Sequence, residues 1–224
     1  MAEKRLTKEV AEQFLADDES VDSREFTELD DEAAEILRKH EGHLNLSGLT
    51  SLSDSAAKSL CGKNEEPTNE SLENYDLLLN GLTSLSDAAA ESLSKYKDFL
   101  GLNGLETLSD AAAESLSRYE NEVLSLSGLT SLSDAAAESL SKYKGDLALN
   151  GLTSLSDAVA ESLGKHKARF FGLSLNGLEC LSDAAAESLN KYDGSLYVDF
   201  DNLPASTVEI LRKHPSFQDD EDDE

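Results

Sequence analysis

Tryptophan is absent from this 224-residue chain, and methionine, cysteine and proline occur only once, twice and three times. Cations are scarce as well, with 19 Lys and Arg against 46 Asp and Glu, a formal net charge of -27. Each shortage excludes something. Two cysteines, Cys61 and Cys180, are too few and too far apart for a disulfide scaffold or a metal knuckle, so they read as reduced and structural. With three prolines and no Gly/Ser-rich or Pro-rich linker, nothing divides the chain into separate domains. The acidic excess repels phosphate backbones and anionic lipid, which argues against direct nucleic-acid or membrane binding. No apolar run is long enough for a signal peptide or a membrane span, so the default expectation is a cytoplasmic protein. The four histidines, His40, His43, His166 and His214, show no ligand spacing and give a metal site little support.

What the chain has in abundance is a single phrase. A block close to Leu-x-Leu-Asn-Gly-Leu-Thr-Ser-Leu-Ser-Asp-Ala-Ala-Ala-Glu-Ser-Leu-Ser-Lys-Tyr begins at Leu44, Leu77, Leu100, Leu124, Leu147 and Leu173. A unit this short cannot bury its own apolar face, so successive copies must stack as a solenoid. Degenerate copies flank the six. Phe26 to Leu37 matches Leu49 to Leu60 one period later, and Leu203 to His214 repeats the helical half; both ends carry Glu-Ile-Leu-Arg-Lys-His. More charged terminal units are what a stack needs to close its open faces. Leu6, Val10 and Phe14 at i, i+4 and i+8 after Thr7 predict a short covering helix over 7–15. The expected organisation is a capping helix and linker over 1–20 and a degenerate first repeat over 21–43. Six repeats of about 23 residues follow over 44–195, with an insertion at 61–69. A degenerate capping repeat over 196–215 and an acidic disordered tail over 216–224 complete it.

The unit from Leu147 shows the expected geometry. Leu147 and Leu149 alternate as a short strand with both side chains inward, and Asn150-Gly151 reads as a turn where a left-handed backbone is cheap. Leu152 and Leu155 continue inward. Ser156 or Asp157 caps a helix whose inner face is Val159, Ala160 and Leu163, followed by His166 in a column that is otherwise tyrosine. Strands about 4.8 Å apart and helices about 8–10 Å apart do not match, which curves a stack; alanine columns such as Ala89, Ala112, Ala136 and Ala185 let the helices close up.

These residues resemble the leucine-rich repeat superfamily, and most closely its bacterial surface-antigen type, over about residues 21 to 214. The chain departs from that type in lacking a buried asparagine ladder at the customary spacing, and in placing Ala90 and Ala137 where phenylalanine is common. The resemblance implies an α/β fold: one right-handed solenoid with parallel β-strands on a concave face and short Ala-rich helices on the convex face. It also implies a surface that binds proteins or other extended ligands.

Each repeated position forms a column that either does chemistry or builds the stack. Asp31, Asp54, Asp87, Asp110, Asp134, Asp157 and Asp183 could hold divalent cations between rungs, but carboxylates at helix N-termini are explained by capping and by the dipole. Glu91, Glu114, Glu138, Glu161 and Glu187 stand four residues before Lys95, Arg118, Lys142, Lys165 and Lys191, the spacing that supports a solvated helix face. Tyr96, Tyr119, Tyr143 and Tyr192 either form an aromatic strip or cover the core edge with their hydroxyls in water. The serines Ser92, Ser115, Ser139, Ser162 and Ser188 have no recurring base beside them, so the chain is read as non-enzymatic and without a cofactor.

Breaks in the pattern and outward strand positions supply the binding candidates. Lys165 to Phe171 is a basic and aromatic insertion, in which Lys167, Arg169, Phe170 and Phe171 could dock an acidic partner or fold over the core edge. On the presumed concave face Leu78, Asn80, Asn103, Asn150, Asn176 and Tyr197 point outward. The expected function is a non-catalytic protein–protein interaction module. The alternative is an acidic decoy, chaperone or nucleic-acid mimic for basic proteins. Oligomeric state is left open.

Overall fold

A computed structural model describes residues 4–62, 75–169 and 172–218. Strand and helix alternate along it: β1 (Arg5–Leu6), α1 (Lys8–Ala16), β2 (Glu28–Leu29), α2 (Asp31–Leu37), β3 (Leu44–Asn45) and α3 (Asp54–Cys61). The middle holds β4 (Leu77–Leu78), α4 (Asp87–Leu93), β5 (Leu100–Gly101), α5 (Asp110–Leu116), β6 (Val123–Ser125) and α6 (Asp134–Leu140). Then follow β7 (Asp146–Ala148), α7 (Asp157–Leu163), β8 (Leu173–Ser174), α8 (Asp183–Leu189), β9 (Leu196–Tyr197) and α9 (Ala205–Leu211).

Strands β3 to β9 form one parallel sheet in sequence order, and β1 and β2 pair separately. The repeat starts are the register. Leu44 pairs with Leu77 and Leu77 with Leu100, and Leu124, Leu147, Leu173 and Leu196 are joined in the same way. Every leucine of the second column, Leu46, Leu79, Leu102, Leu126, Leu149 and Leu175, is buried, as are Leu49, Leu82, Leu105, Leu129, Leu152 and Leu178. The core is therefore a stack of leucine layers closed on the far side by helices, the α/β solenoid that the period demands.

Small residues set how closely the rungs approach. Ala89, Ala112, Ala136 and Ala185 are fully buried where each helix packs on the next. The glycine after each of β3 to β8 serves the same end: a turn does lie at Asn150-Gly151, closed by the Leu152 N–H on the Leu149 carbonyl at 3.2 Å, but without the left-handed backbone expected there. Among the described residues only Gly42 and Gly172 have positive φ. At Gly151 a β-carbon would instead stand 2.4 Å from the carbonyl oxygen of Ser127 in the preceding repeat, and at Gly177 1.8 Å from that of Asn150. Backbone packs directly on backbone there, and no side chain fits.

Helix starts decide between serine and aspartate as the cap. In α3 to α8 the cap is the serine, whose Oγ accepts the N–H of the third helical residue, as Ser133 does from Ala136 at 3.0 Å. The following aspartate belongs to the first turn and takes the hydroxyl of the next rung's serine: Ser53 donates to Asp31 and Ser109 to Asp87, each at 2.5 Å, and Ser133 donates to Asp110. One serine thus closes its own helix and ties it to the one before.

Both ends are sealed with hydroxyls. Ser23 donates to the carbonyl of Asn45 on β3 at 2.7 Å, and Ser216 accepts the N–H of Leu196 on β9 at 2.9 Å, the place where inner strands use a neighbouring carbonyl. Edge strands left open would pair with other chains.

Candidate functional site

The first outward column of the sheet is Asn45, Leu78, Gly101, Ser125, Ala148, Ser174 and Tyr197. Leu78 is half-buried there, and Tyr197, 44% exposed, is the only exposed large hydrophobic among the described residues. Two residues further along lie Asn80 and Asn150, half-buried, and Asn103 and Asn176, exposed. All six predicted face residues thus sit on one surface.

Their amides are already engaged. Asn80 Oδ1 accepts the Asn103 N–H at 3.0 Å, and Asn103 Oδ1 accepts the Ser125 hydroxyl at 2.5 Å. Asn150 Oδ1 accepts both the Ser174 hydroxyl, at 2.7 Å, and the Asn176 N–H, at 3.0 Å. An asparagine ladder therefore exists, on the sheet face rather than inside, and it crosses from rung to rung. Besides the remaining amide hydrogens, Tyr197 is the one exposed aromatic on this face among the described residues.

The return edge, where each helix runs back to the next strand, is the second surface. The tyrosines there are buried, and their hydroxyls are not wet: Tyr119 donates to the Asp98 carbonyl at 2.5 Å, Tyr143 to that of Asn121 at 2.7 Å, and Tyr96 to that of Tyr75. Rings stack along the molecule, from Tyr119 through Tyr143, His166 and Tyr192 to His214, with centroids 6.1 to 6.4 Å apart. Burial raises the Tyr192 phenol to about 12 and moves Tyr96, Tyr119 and Tyr143 up as well, so all four stay neutral. His166 is 2% exposed, and burial lowers its pKa against weaker support from the backbone at Ser141 and Gly145 and from Asp146. His214 continues the column, its Nε2 lying 2.8 Å from the Tyr192 carbonyl. That role was missed in the sequence, although Arg-Lys-His at 212–214 aligns with Ser-Lys-Tyr at 94–96 and 141–143 and with Gly-Lys-His at 164–166.

Lys167 and Arg169 are exposed on this return edge. Phe170 and Phe171 lie outside the described residues, as do most of the insertion at 61–69 and the acidic run at 219–224. The chain rejoins the sheet at Gly172, whose φ of +105° admits only glycine readily and whose N–H is held by the buried Asp146 carboxylate at 2.9 Å. Lys167 and Arg169 and the sheet-face residues therefore occupy two separate surfaces.

The remaining columns carry pairs within the stack. Lys95, Lys142 and Lys165 pair with the glutamate four residues before them at 2.9 to 3.3 Å, on exposed side chains. Cys61 is half-buried, its thiol pushed up to about 12 by burial, while Cys180 is exposed. Among the described residues no group of three His, Cys, Asp or Glu is placed to hold a metal ion, and no helix is long and apolar enough to cross a membrane.

Fold and surface together define a parallel α/β solenoid with a rigid, self-bonded sheet face. No family model matches the chain, and no curated protein does.

Proposed function

We propose that this chain is a non-catalytic protein–protein interaction module of leucine-rich-repeat type that receives its partner on the sheet face. The observation that carries this reading is the face itself: seven strands in unbroken parallel register, their polar groups fixed by neighbours, and one exposed aromatic, Tyr197, at its C-terminal end. A surface that is already ordered loses little entropy on binding, and a tyrosine supplies contact area at low conformational cost. Asn176, Ser174 and Asp199 surround that anchor in neighbouring positions, while Leu78 offers a smaller apolar contact towards the other end. Affinity capture with the purified chain, comparing wild type with Tyr197→Ala/Asn176→Ala, tests the reading. The variant should lose a partner that wild type retains at moderate salt, and equal recovery by both would overturn it.

A second reading rests on charge. The net charge of -27, with seven aspartates placed one per rung along the helix N-termini, supports an acidic decoy, chaperone or nucleic-acid mimic for basic proteins. Binding of that kind should vanish as salt shortens the screening length from about 10 Å at 0.1 M to about 3 Å at 1 M. Polylysine titration at both ionic strengths separates the readings, because salt-insensitive binding argues against the second.

A further inference from the structure

His214 is 1% exposed, and each of its ring nitrogens has a partner. Nε2 lies 2.8 Å from the Tyr192 carbonyl oxygen, and Nδ1 lies 3.1 Å from the Ser216 amide nitrogen. A carbonyl only accepts and an amide N–H only donates, so the proton sits on Nε2 and Nδ1 keeps its lone pair. The geometry thus specifies a neutral imidazole in one tautomer. A second proton goes onto Nδ1, where it faces the Ser216 N–H and sets two donors against each other across 3.1 Å.

The bond at stake holds the C-terminal seal. Ser216 belongs to the turn Pro215–Phe217, which His214 caps, and its Oγ accepts the Leu196 N–H at 2.9 Å. The other contacts of the turn do not reach Leu196: the Phe217 N–H bonds the His214 carbonyl at 3.0 Å, and the Phe217 ring packs on Phe200 at 4.8 Å. Asn45 makes the same bond to the residue two places on, from the Ser47 N–H at 3.1 Å, through an amide that does not titrate. Histidine is the side chain that changes charge in the physiological range. Around the ring, the preceding rung brings Tyr192, stacked at 6.2 Å, with Lys191 and Asp193 beside it, and Asp193 lines a cavity of about 370 Å³ with His214. Its own segment brings Arg212 and Lys213, while Ser195 and Leu196 on the β9 side and the turn Pro215–Phe217 bring no charge. His214 forms no ion pair among the described residues.

We propose that His214 is a proton-operated latch on the C-terminal edge of the sheet: neutral, it holds Ser216 against β9, and protonated, it releases Ser216 and leaves the Leu196 N–H unpaired. An edge opened in this way is a pairing surface that the neutral molecule keeps covered. The latch is independent of any partner on the sheet face.

Amide hydrogen exchange of the full chain, read residue by residue by NMR at about pH 7.5 and about pH 5 and corrected for the intrinsic pH dependence of exchange, tests this directly. On acidification the protection of Leu196 should fall about tenfold relative to that of Leu79, the loss expected for one hydrogen bond. Leu79 is the reference because its N–H bonds the Gly101 carbonyl at 2.8 Å, several rungs from this end. His214→Asn keeps an acceptor for the Ser216 N–H at both pH values, so its ratio of Leu196 to Leu79 protection should stay constant. A constant ratio in the wild type, or an equal fall in His214→Asn, would overturn the proposal, the second outcome by assigning the effect to another group such as Asp193. Imidazole nitrogen shifts of the wild-type chain are a second arm that needs no variant. They should show His214 neutral with its proton on Nε2 at the higher pH, and doubly protonated in step with the loss of Leu196 protection. A proton on Nδ1 at the higher pH, or double protonation that leaves Leu196 protected, would overturn the latch equally.

Discussion

At Gly104 a β-carbon would lie 2.0 Å from the carbonyl oxygen of Asn80, and backbone cannot move aside as a side chain can. Gly104→Ala should therefore cost about 1–3 kcal/mol as overpacking between rungs. Gly62→Ala is the control: its β-carbon would meet only the end of the Arg38 side chain at 3.3 Å, at φ -70°, and should stabilise by up to about 1 kcal/mol. Urea unfolding of both variants checks the pair. The aromatic column gives a pH argument of the same grain. His166 is held neutral, with its pKa lowered by burial, so the unfolded chain binds the proton more tightly. Its contribution is fully present above the unfolded value of about 6.5 and is lost as pH falls below it. His166→Tyr should reduce the fall in Tm between pH 7 and pH 5, and an unchanged slope would refute the role. For Tyr96, Tyr119, Tyr143 and Tyr192 the sign reverses: their raised pKa values mean stability declines once pH exceeds about 10. Tyrosinate absorbance from these four should thus rise together with loss of helix.

Each helix is only seven or eight residues long from α2 to α9, too short to persist alone, so its stability comes from its neighbours and, in α3 to α8, from its serine cap. Ser133 joins the two sources, taking the Ala136 N–H and giving its proton to Asp110. Ser133→Ala should cost about 1–2 kcal/mol, and a double-mutant cycle with Asp110→Ala should show a coupling above about 0.5 kcal/mol. Purely additive effects would mean that the inter-rung bond contributes nothing. This is also where the limit of the sequence lies. The register of the inner strands was legible because leucine spacing and sheet pairing are the same period, although β6 and β7 begin one residue earlier, at Val123 and Asp146. The outward direction of Asn80, Asn103, Asn150 and Asn176 was legible from alternation alone. Which oxygen caps, and where each asparagine's hydrogen bonds go, was not, since both depend on a partner one rung away whose distance is set by packing. Likewise the glycine after β3 to β8 is in a turn, as read, but the reading gave it a left-handed backbone. Its actual constraint, a carbonyl oxygen in the preceding copy, leaves no local signature.

Across the whole molecule, contacts run mainly between neighbours, each helix packing on the next from α1 to α9, so the stack behaves as a chain of coupled units closed at two ends. The C-terminal closure imitates a further repeat with different residues. Pro204 takes the place of the capping serine, and Thr207 stands in the column of Ala185, buried and donating to the Leu181 carbonyl at 3.1 Å; His214 stands for the tyrosine, and the Ser216 hydroxyl for a strand carbonyl. Nothing beyond it continues the leucine layers among the described residues, and Arg212 lies over Phe200 at 5.7 Å on this outer side. Removing the closure would expose α8, the β9 edge and the last buried layer at once, a surface that matches the next rung of any other copy. A chain ending after Val198 should therefore associate through that end, because a stacking surface that does not close on itself builds open chains rather than rings. Sedimentation over a concentration series is the measurement: the full chain should hold one mass at low micromolar concentration while the shortened chain grows with concentration. A shortened chain that stayed at its own monomer mass and kept its helix content would show that the last repeats need no seal, and the account of the terminal hydroxyls as edge protection would fall.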